Sequence, residues 1–266
     1  MQRYKLTISF MFLATLGVAF ACDTVDGDET HDTLRKGPKS DKGGGNSAGI
    51  ALAGDEFMCG GKVYACGDAL DNDGDGLIDY ADPECTTPCD DAEVSFQTDL
   101  PGQNEDCKSD CYFDENTGVG DDQCQQNLRC DGENPGALIG CDYDPEFKMC
   151  EVAVEDTCLS SCVPLVPNGC DCFGCCEIGD RTVYLDGSPD CRLDNLEACQ
   201  SCTLNTECAN PCEAEKCELC FGQTVANLSD ECNGEPACPD GVGSCASHSD
   251  CPAGDFCQTG CCIGFN

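Results

Sequence analysis

One long, mainly apolar run stands out along this chain, from Leu6 to Phe20. Arg3 and Lys5 precede it and Ala19, Phe20 and Ala21 close it with a small-residue cleavage region, the layout of an export signal over residues 1–21. The run is too short, and wrongly flanked, for a membrane-spanning helix. Residues 22–54 are polar and glycine-rich, and from Asp23 onward they hold no cysteine, which predicts a flexible tether. Beyond it apolar residues come only in short alternations. Glu93–Leu100 (EVSFQTDL) reads as a strand ending at Pro101, and Lys148–Glu155 (KMCEVAVE) as another. Arg181–Leu185 (RTVYL) reads as a hairpin strand turning at Asp186 and Gly187. Leu193–Cys202 and Ala214–Cys220 have the composition of short helices. Cys107 with Cys111, Cys158 with Cys162 and Cys208 with Cys212 lie four apart, a spacing that sets both sulfurs on one face of a helix. Asn168 and Gly169 signal a turn just ahead of the crowded Cys170, Cys172, Cys175 and Cys176.

Composition sharpens this picture. Of 266 residues, 31 are cysteine, 30 glycine and 13 proline, with no tryptophan and 6% aromatic residues. Cysteine above about 10% marks a disulfide scaffold made in an oxidising compartment. The fold class expected is a small disulfide-rich α+β protein with little regular secondary structure, built of short strands, short helices and irregular cysteine-stapled modules. Its body divides into residues 55–90, 91–240 and 241–266. Large apolar side chains are too sparse for a conventional core of this length.

The net charge of −38 becomes −40 when Arg3 and Lys5 leave with residues 1–21, and from Asp55 onward 45 acidic residues face 7 basic ones. A field of that sign repels phosphate backbones and anionic lipid, so nucleic acid is excluded as a partner. It attracts divalent cations and basic partners. For most individual acids the plain reading is a solvated surface.

The sharpest local chemistry lies between Cys66 and Cys85, CGDALDNDGDGLIDYADPEC. Asp71, Asp73 and Asp75 occupy positions 1, 3 and 5 of a twelve-residue DxDxDG calcium loop, with Gly76 at the sharp turn. Leu77 offers its carbonyl at position 7, and Asp79 and Asp82 fall at positions 9 and 12. A hard dication wants six to eight oxygens, which alternate residues of a tight loop can supply. Without a cation, carboxylates about 4 Å apart repel by roughly 1 to 4 kcal/mol per pair. Gly67 and Pro83 prevent the long flanking helices of an EF-hand. A Cys66–Cys85 disulfide would brace the loop instead, removing about 3 kcal/mol of unfolded-chain entropy. The alternative is an acidic, metal-free turn. Over these twenty or so residues the chain resembles thrombospondin type-3 and dockerin calcium loops, and more closely the cysteine-flanked acidic repeats of myxobacterial surface proteins. The resemblance implies calcium binding and no catalytic activity.

Cys22 directly after Ala21 makes the start of the chain resemble a bacterial lipoprotein signal, although Ala19 stands where leucine is usual and Phe20 is bulky for its place. Setting Cys22 aside from 31 cysteines leaves an even number able to pair fully. Ordinary cleavage with Cys22 free or paired is the alternative. The segments PGQNEDCKSDCYFD and PNGCDCFGCC together resemble a module of exported myxobacterial proteins, which implies location alone. Cys245, Cys251, Cys257, Cys261 and Cys262 resemble the small cysteine knots that end many secreted modules.

Other residue groups offer competing chemistries. Asp114, Asn116, Asp121 and Asp122 offer a second cation loop, against an ordinary glycine-rich turn. Cys199, Cys202, Cys217 and Cys220 approach zinc-ribbon spacing, although Cys208 and Cys212 intervene. Cys172 and Cys175 enclose a CxxC, but Asp171, Glu177 and Asp180 surround it where a reactive thiol needs basic neighbours. GNSAG at 45–49 matches the hydrolase elbow formally, without its strand or helix, and His31 and His248 are the sole histidines. The reading reached is a non-enzymatic, exported, calcium-binding display or binding module at the outer membrane or cell surface, or secreted. Its membrane contact is through lipid on Cys22 only, and its partner an unidentified protein or surface ligand. Zinc or copper sequestration by thiol clusters and inhibition of a hydrolase are the alternatives.

Overall fold

Cysteines every few residues, interleaved with glycine and proline, leave no stretch long enough for extended elements, and the chain answers with turns pinned by sulfur. The computed structural model describes residues 50–51, 56–98, 107–114, 124–151 and 153–264. The export signal, Cys22, the GNSAG motif, His31 and all of the second cation loop except Asp114 lie outside these residues.

Nine short strands are described: β1 (Ile50–Ala51), β2 (Phe57–Met58), β3 (Lys108–Asp110), β4 (Gln125–Asn127), β5 (Cys175–Ile178), β6 (Arg181–Tyr184), β7 (Gln200–Ser201), β8 (Asp255–Gln258) and β9 (Cys261–Gly264). β1 pairs with β2, so Ile50–Ala51, assigned by composition to the tether, are paired backbone. β3 pairs with β4, β5–β6–β7 form a three-stranded antiparallel sheet, and β8–β9 a hairpin. Its two-residue turn, Thr259 (φ 45°) and Gly260 (φ 77°), has the left-handed backbone that tight hairpins require. A Cβ on Gly260 would also meet the ring of Pro236. The helical segments are single 3-10 turns, apart from a π turn at Cys158–Cys162. The result is a small, irregular, disulfide-rich α+β fold. Among the described residues no helix is long and apolar enough to cross a membrane.

Several elements differ from expectation. Glu93–Thr98 form bends, not a strand, because Glu93 turns inward to bond backbone while the Phe96 N–H donates to the Cys191 carbonyl at 2.9 Å. Lys148–Glu151 is a 3-10 turn, held through the Cys130–Cys150 disulfide. Arg181–Tyr184 pairs backward with β5 across Gly179 and Asp180, and Asp186–Gly187 close a 3-10 turn instead of a hairpin. Leu193–Asn195 and Ala214–Lys216 are single turns where longer helices were expected. Of the four-apart cysteine pairs, Cys158 and Cys162 alone share a helical turn. Lys108–Asp110 between Cys107 and Cys111 is strand, and Asn210, between Cys208 and Cys212, makes an extended bridge to Cys170.

Fourteen disulfides join the described cysteines, and they fall into five blocks along the sequence. Cys59–Cys89 and Cys66–Cys85 close the first block. The second holds Cys107–Cys141, Cys111–Cys162, Cys124–Cys158 and Cys130–Cys150. The third holds Cys170–Cys176, Cys175–Cys202 and Cys191–Cys199, and the fourth Cys212–Cys220 and Cys217–Cys232. The last holds Cys238–Cys261, Cys245–Cys257 and Cys251–Cys262, so the C-terminal knot includes Cys238. This density of cross-links belongs to an oxidising, extracellular environment.

No described disulfide passes between blocks; packing joins them. Phe96, Tyr112, Phe113, Leu165, Phe173, Ile178, Val183, Leu185 and Phe221 form a buried cluster shared by the second, third and fourth blocks and by the segment that follows the first, with Phe96 5.6 Å from the Phe221 ring. Phe57, fully buried, meets His248 and Phe256 and so ties the first block to the last. The Gln258 amide adds a 2.9 Å bond to the Thr86 carbonyl.

Candidate metal centre

The acidic loop Asp71–Asp82 hangs from a sulfur-braced base. Cys66, in the 3-10 turn Ala65–Gly67, is bonded to Cys85, and Cys59–Cys89 closes a wider ring around them. Within the loop, carboxylates order the backbone: Asp71 accepts from Gly74 N at 2.7 Å and Gly76 N at 3.1 Å, Asp73 from Asp75 N at 2.9 Å, and Asp75 from Leu77 N at 2.7 Å. Gly76 is needed for its φ of 99°, since open space surrounds the position of its missing Cβ. These turns leave Asp71, Asp73 and Asp75 exposed, with one oxygen from each within 4.8 Å of the others.

A second triad lies on the inner side. Asp73, Asp82 and Glu93 likewise bring oxygens within 4.8 Å of one another, and Asp82 and Glu93 are buried. Glu93 comes from outside the loop. Its Oε1 accepts Asp79 N at 2.9 Å and its Oε2 accepts Asn72 N, so one carboxylate grips the loop at both ends. Asp82, 1% exposed, accepts Glu84 N at 2.8 Å through Oδ1, whereas its Oδ2 is buried with no hydrogen-bond partner. Asp79 stands outside both triads. Its Oδ2 accepts Ala69 N at 3.0 Å, and its Oδ1 is buried and also lacks a partner. Leu77 follows the turn with its side chain half-buried.

Burial dominates the electrostatics. It pushes the Asp82 carboxyl up to about 9, with the nearby Glu84 adding to the rise. It lifts Asp79 to about 7 against the Ala69 N–H, which pulls the other way. Glu93 is raised as well, first by burial, although the N–H groups of Asn72 and Asp79 oppose this. An unpartnered buried carboxylate oxygen is costly, and a proton or a cation relieves it.

The spacing DxDxDG pointed to Asp71, Asp73, Asp75, Leu77, Asp79 and Asp82 because alternate residues of one tight turn converge locally; the triads take in Asp71, Asp73, Asp75 and Asp82 and leave Asp79 outside. Glu93 had no such signal: it lies beyond two cysteines, at the head of a segment that alternates like a strand. The loop also forms one wall of a mainly apolar cavity of about 390 Å³, where Leu77, Ala81 and Pro83 face Leu219, Phe221 and Val225.

The sulfur-based metal and redox sites are not assembled. Cys199, Cys202, Cys217 and Cys220 are bonded to Cys191, Cys175, Cys232 and Cys212 respectively, which leaves no thiolate for a zinc ribbon. Cys175 is likewise bonded to Cys202 and not to Cys172, so the CxxC is no redox pair. The sulfurs of Cys111, Cys124 and Cys162 crowd together only as halves of adjacent disulfides, as do those of Cys245, Cys251 and Cys262. Compared with family models, with curated proteins and with solved structures, the chain matches none.

Proposed function

We propose that this chain is an exported, non-enzymatic display or binding module whose first disulfide block is locked by calcium. The observation that carries this reading is the buried, partnerless Oδ2 of Asp82 in a carboxylate triad no wider than 4.8 Å. Calcium–oxygen bonds of 2.3–2.6 Å allow two ligands of one ion to lie up to about 5 Å apart, so oxygens at this spacing suit a single ion. The donors are all hard oxygens, which favours calcium over zinc or copper. Asp71, Asp73, Asp75 and the Leu77 carbonyl supply the exposed side and Asp82 with Glu93 the buried side, while Asp79 holds the Ala69 turn. Sites of this extracellular kind bind at about 10⁻⁴ to 10⁻³ M, which suits a permanent structural ion. Lipid on Cys22 would anchor the module and residues 23–49 would give it reach, presenting its acidic surface to a basic protein or surface ligand.

Limited proteolysis tests the reading. Chelator should speed cutting between Cys66 and Cys85 in the unreduced protein, and millimolar calcium should restore resistance. Digestion indifferent to calcium would contradict it.

A further inference from the structure

Cys172 and Cys208 are the two described cysteines outside the fourteen disulfides, and both are buried, at 0% and 2% exposed. They are not scattered. Cys170 and Asn210 form an antiparallel bridge, with Asn210 N donating to the Cys170 carbonyl at 2.8 Å and Gly169 N donating to the Asn210 carbonyl at 2.6 Å. Cys172 and Cys208 each lie two residues from this bridge, where the chain turns back toward Cys175. Asp171 pins the same segments from the other side, accepting Asn205 N at 2.7 Å. The Cys172 Sγ lies 3.4 Å from the Cys208 carbonyl oxygen. The Cys172 thiol is pushed well above its ordinary range, first by a hydrogen bond with the Cys208 thiol and next by burial.

We propose that Cys172 and Cys208 close a fifteenth disulfide in the exported protein, bracing the Cys170–Cys176 turn against the segment that carries Asn205 and Asn210. The Cys172 sulfur already touches the Cys208 backbone beside a bridge that ties the two segments, so a side-chain rotation brings the pair to bonding distance. The two thiols lose two protons and two electrons to a disulfide-bearing oxidant of the export compartment, which is reduced to a dithiol. Because the finished fold seals both sulfurs, oxidation has to come before the core closes. The proposal rests on the disulfide-rich exported reading and makes one bond of it specific.

Two-step alkylation of the full exported chain tests this. The protein is unfolded without reductant and treated with iodoacetamide, then reduced, treated with N-ethylmaleimide and mapped by peptide mass. The expected result is the second label on both Cys172 and Cys208. In the Cys172→Ser variant, Cys208 should then take the first label, a gain of one early adduct over wild type. First label on Cys172 and Cys208 alone would overturn the fifteenth bond and leave the scaffold standing. First label on every cysteine would overturn both.

Discussion

Glu93 spends both carboxylate oxygens on backbone N–H groups of the acidic loop, yet it lies within reach of Asp73 and Asp82, so it clasps the loop and stands where the proposed calcium site needs a ligand. Glu93→Gln keeps one acceptor and removes the charge. Calcium affinity measured by calorimetric titration is expected to fall roughly tenfold or more, because affinity at such sites follows ligand charge. Unchanged affinity would remove Glu93 from the site. The buried acids also set a pH dependence. Asp82 near 9 and Asp79 near 7 lie above the ordinary carboxylate value of 3.8, so between about pH 4 and pH 9 the ion-free folded chain binds more protons than the unfolded one. Its stability therefore falls as pH rises through that window. In chelator, the melting temperature of the first block should be lower at pH 8 than at pH 5; calcium should remove the difference by taking the protons' place. A melting temperature equal at both pH values in chelator would contradict the burial of these groups. What was legible here was local: DxDxDG names carboxylates that converge within one turn, whereas the inward turn of Glu93 is decided by tertiary contacts no spacing rule records.

At the scale of elements, sulfur and carboxylates take over the role that helices play in an EF-hand. The 3-10 turns Ala65–Gly67 and Asp79–Ala81 are too short to fix the loop, and the Cys66–Cys85 bond between its ends does so. Replacing Cys66 and Cys85 together by serine should lower unfolding stability by about 2–4 kcal/mol in a urea titration and weaken calcium binding as well. Loss of stability with affinity intact would show that the loop shapes itself. Strand and helix patterns were the least legible part of the sequence. EVSFQTDL alternates well, but Val94 is exposed and Phe96 is buried beside Phe221, with no partner strand among the described residues to use the alternation. Four-residue cysteine spacing fits a helical turn at Cys158–Cys162, yet between Cys107 and Cys111 pairing with β4 wins.

Across the whole molecule, disulfides are local and packing is global. Cysteine count and charge made the class of fold legible, because so acidic and cysteine-dense a chain has few other ways to hold a shape. The five covalent blocks were not, since pairings cannot be read from spacing. Nor was the aromatic cluster around Phe96, Tyr112, Phe113, Phe173 and Phe221, which joins blocks that no described sulfur bond connects. Sparse apolar residues do not preclude a core when half-cystines fill the gaps between aromatic rings, as Cys111, Cys162 and Cys176 do here. The measurement that bears most directly on a module shaped by sulfur bonds and held by an ion is the intact mass of the native, unreduced protein, sprayed from millimolar calcium and again from chelator. The prediction is a chain short of the hydrogens given up to at least fourteen disulfides, carrying calcium in the first condition and none in the second. A fully reduced chain with the same mass in both conditions would contradict it.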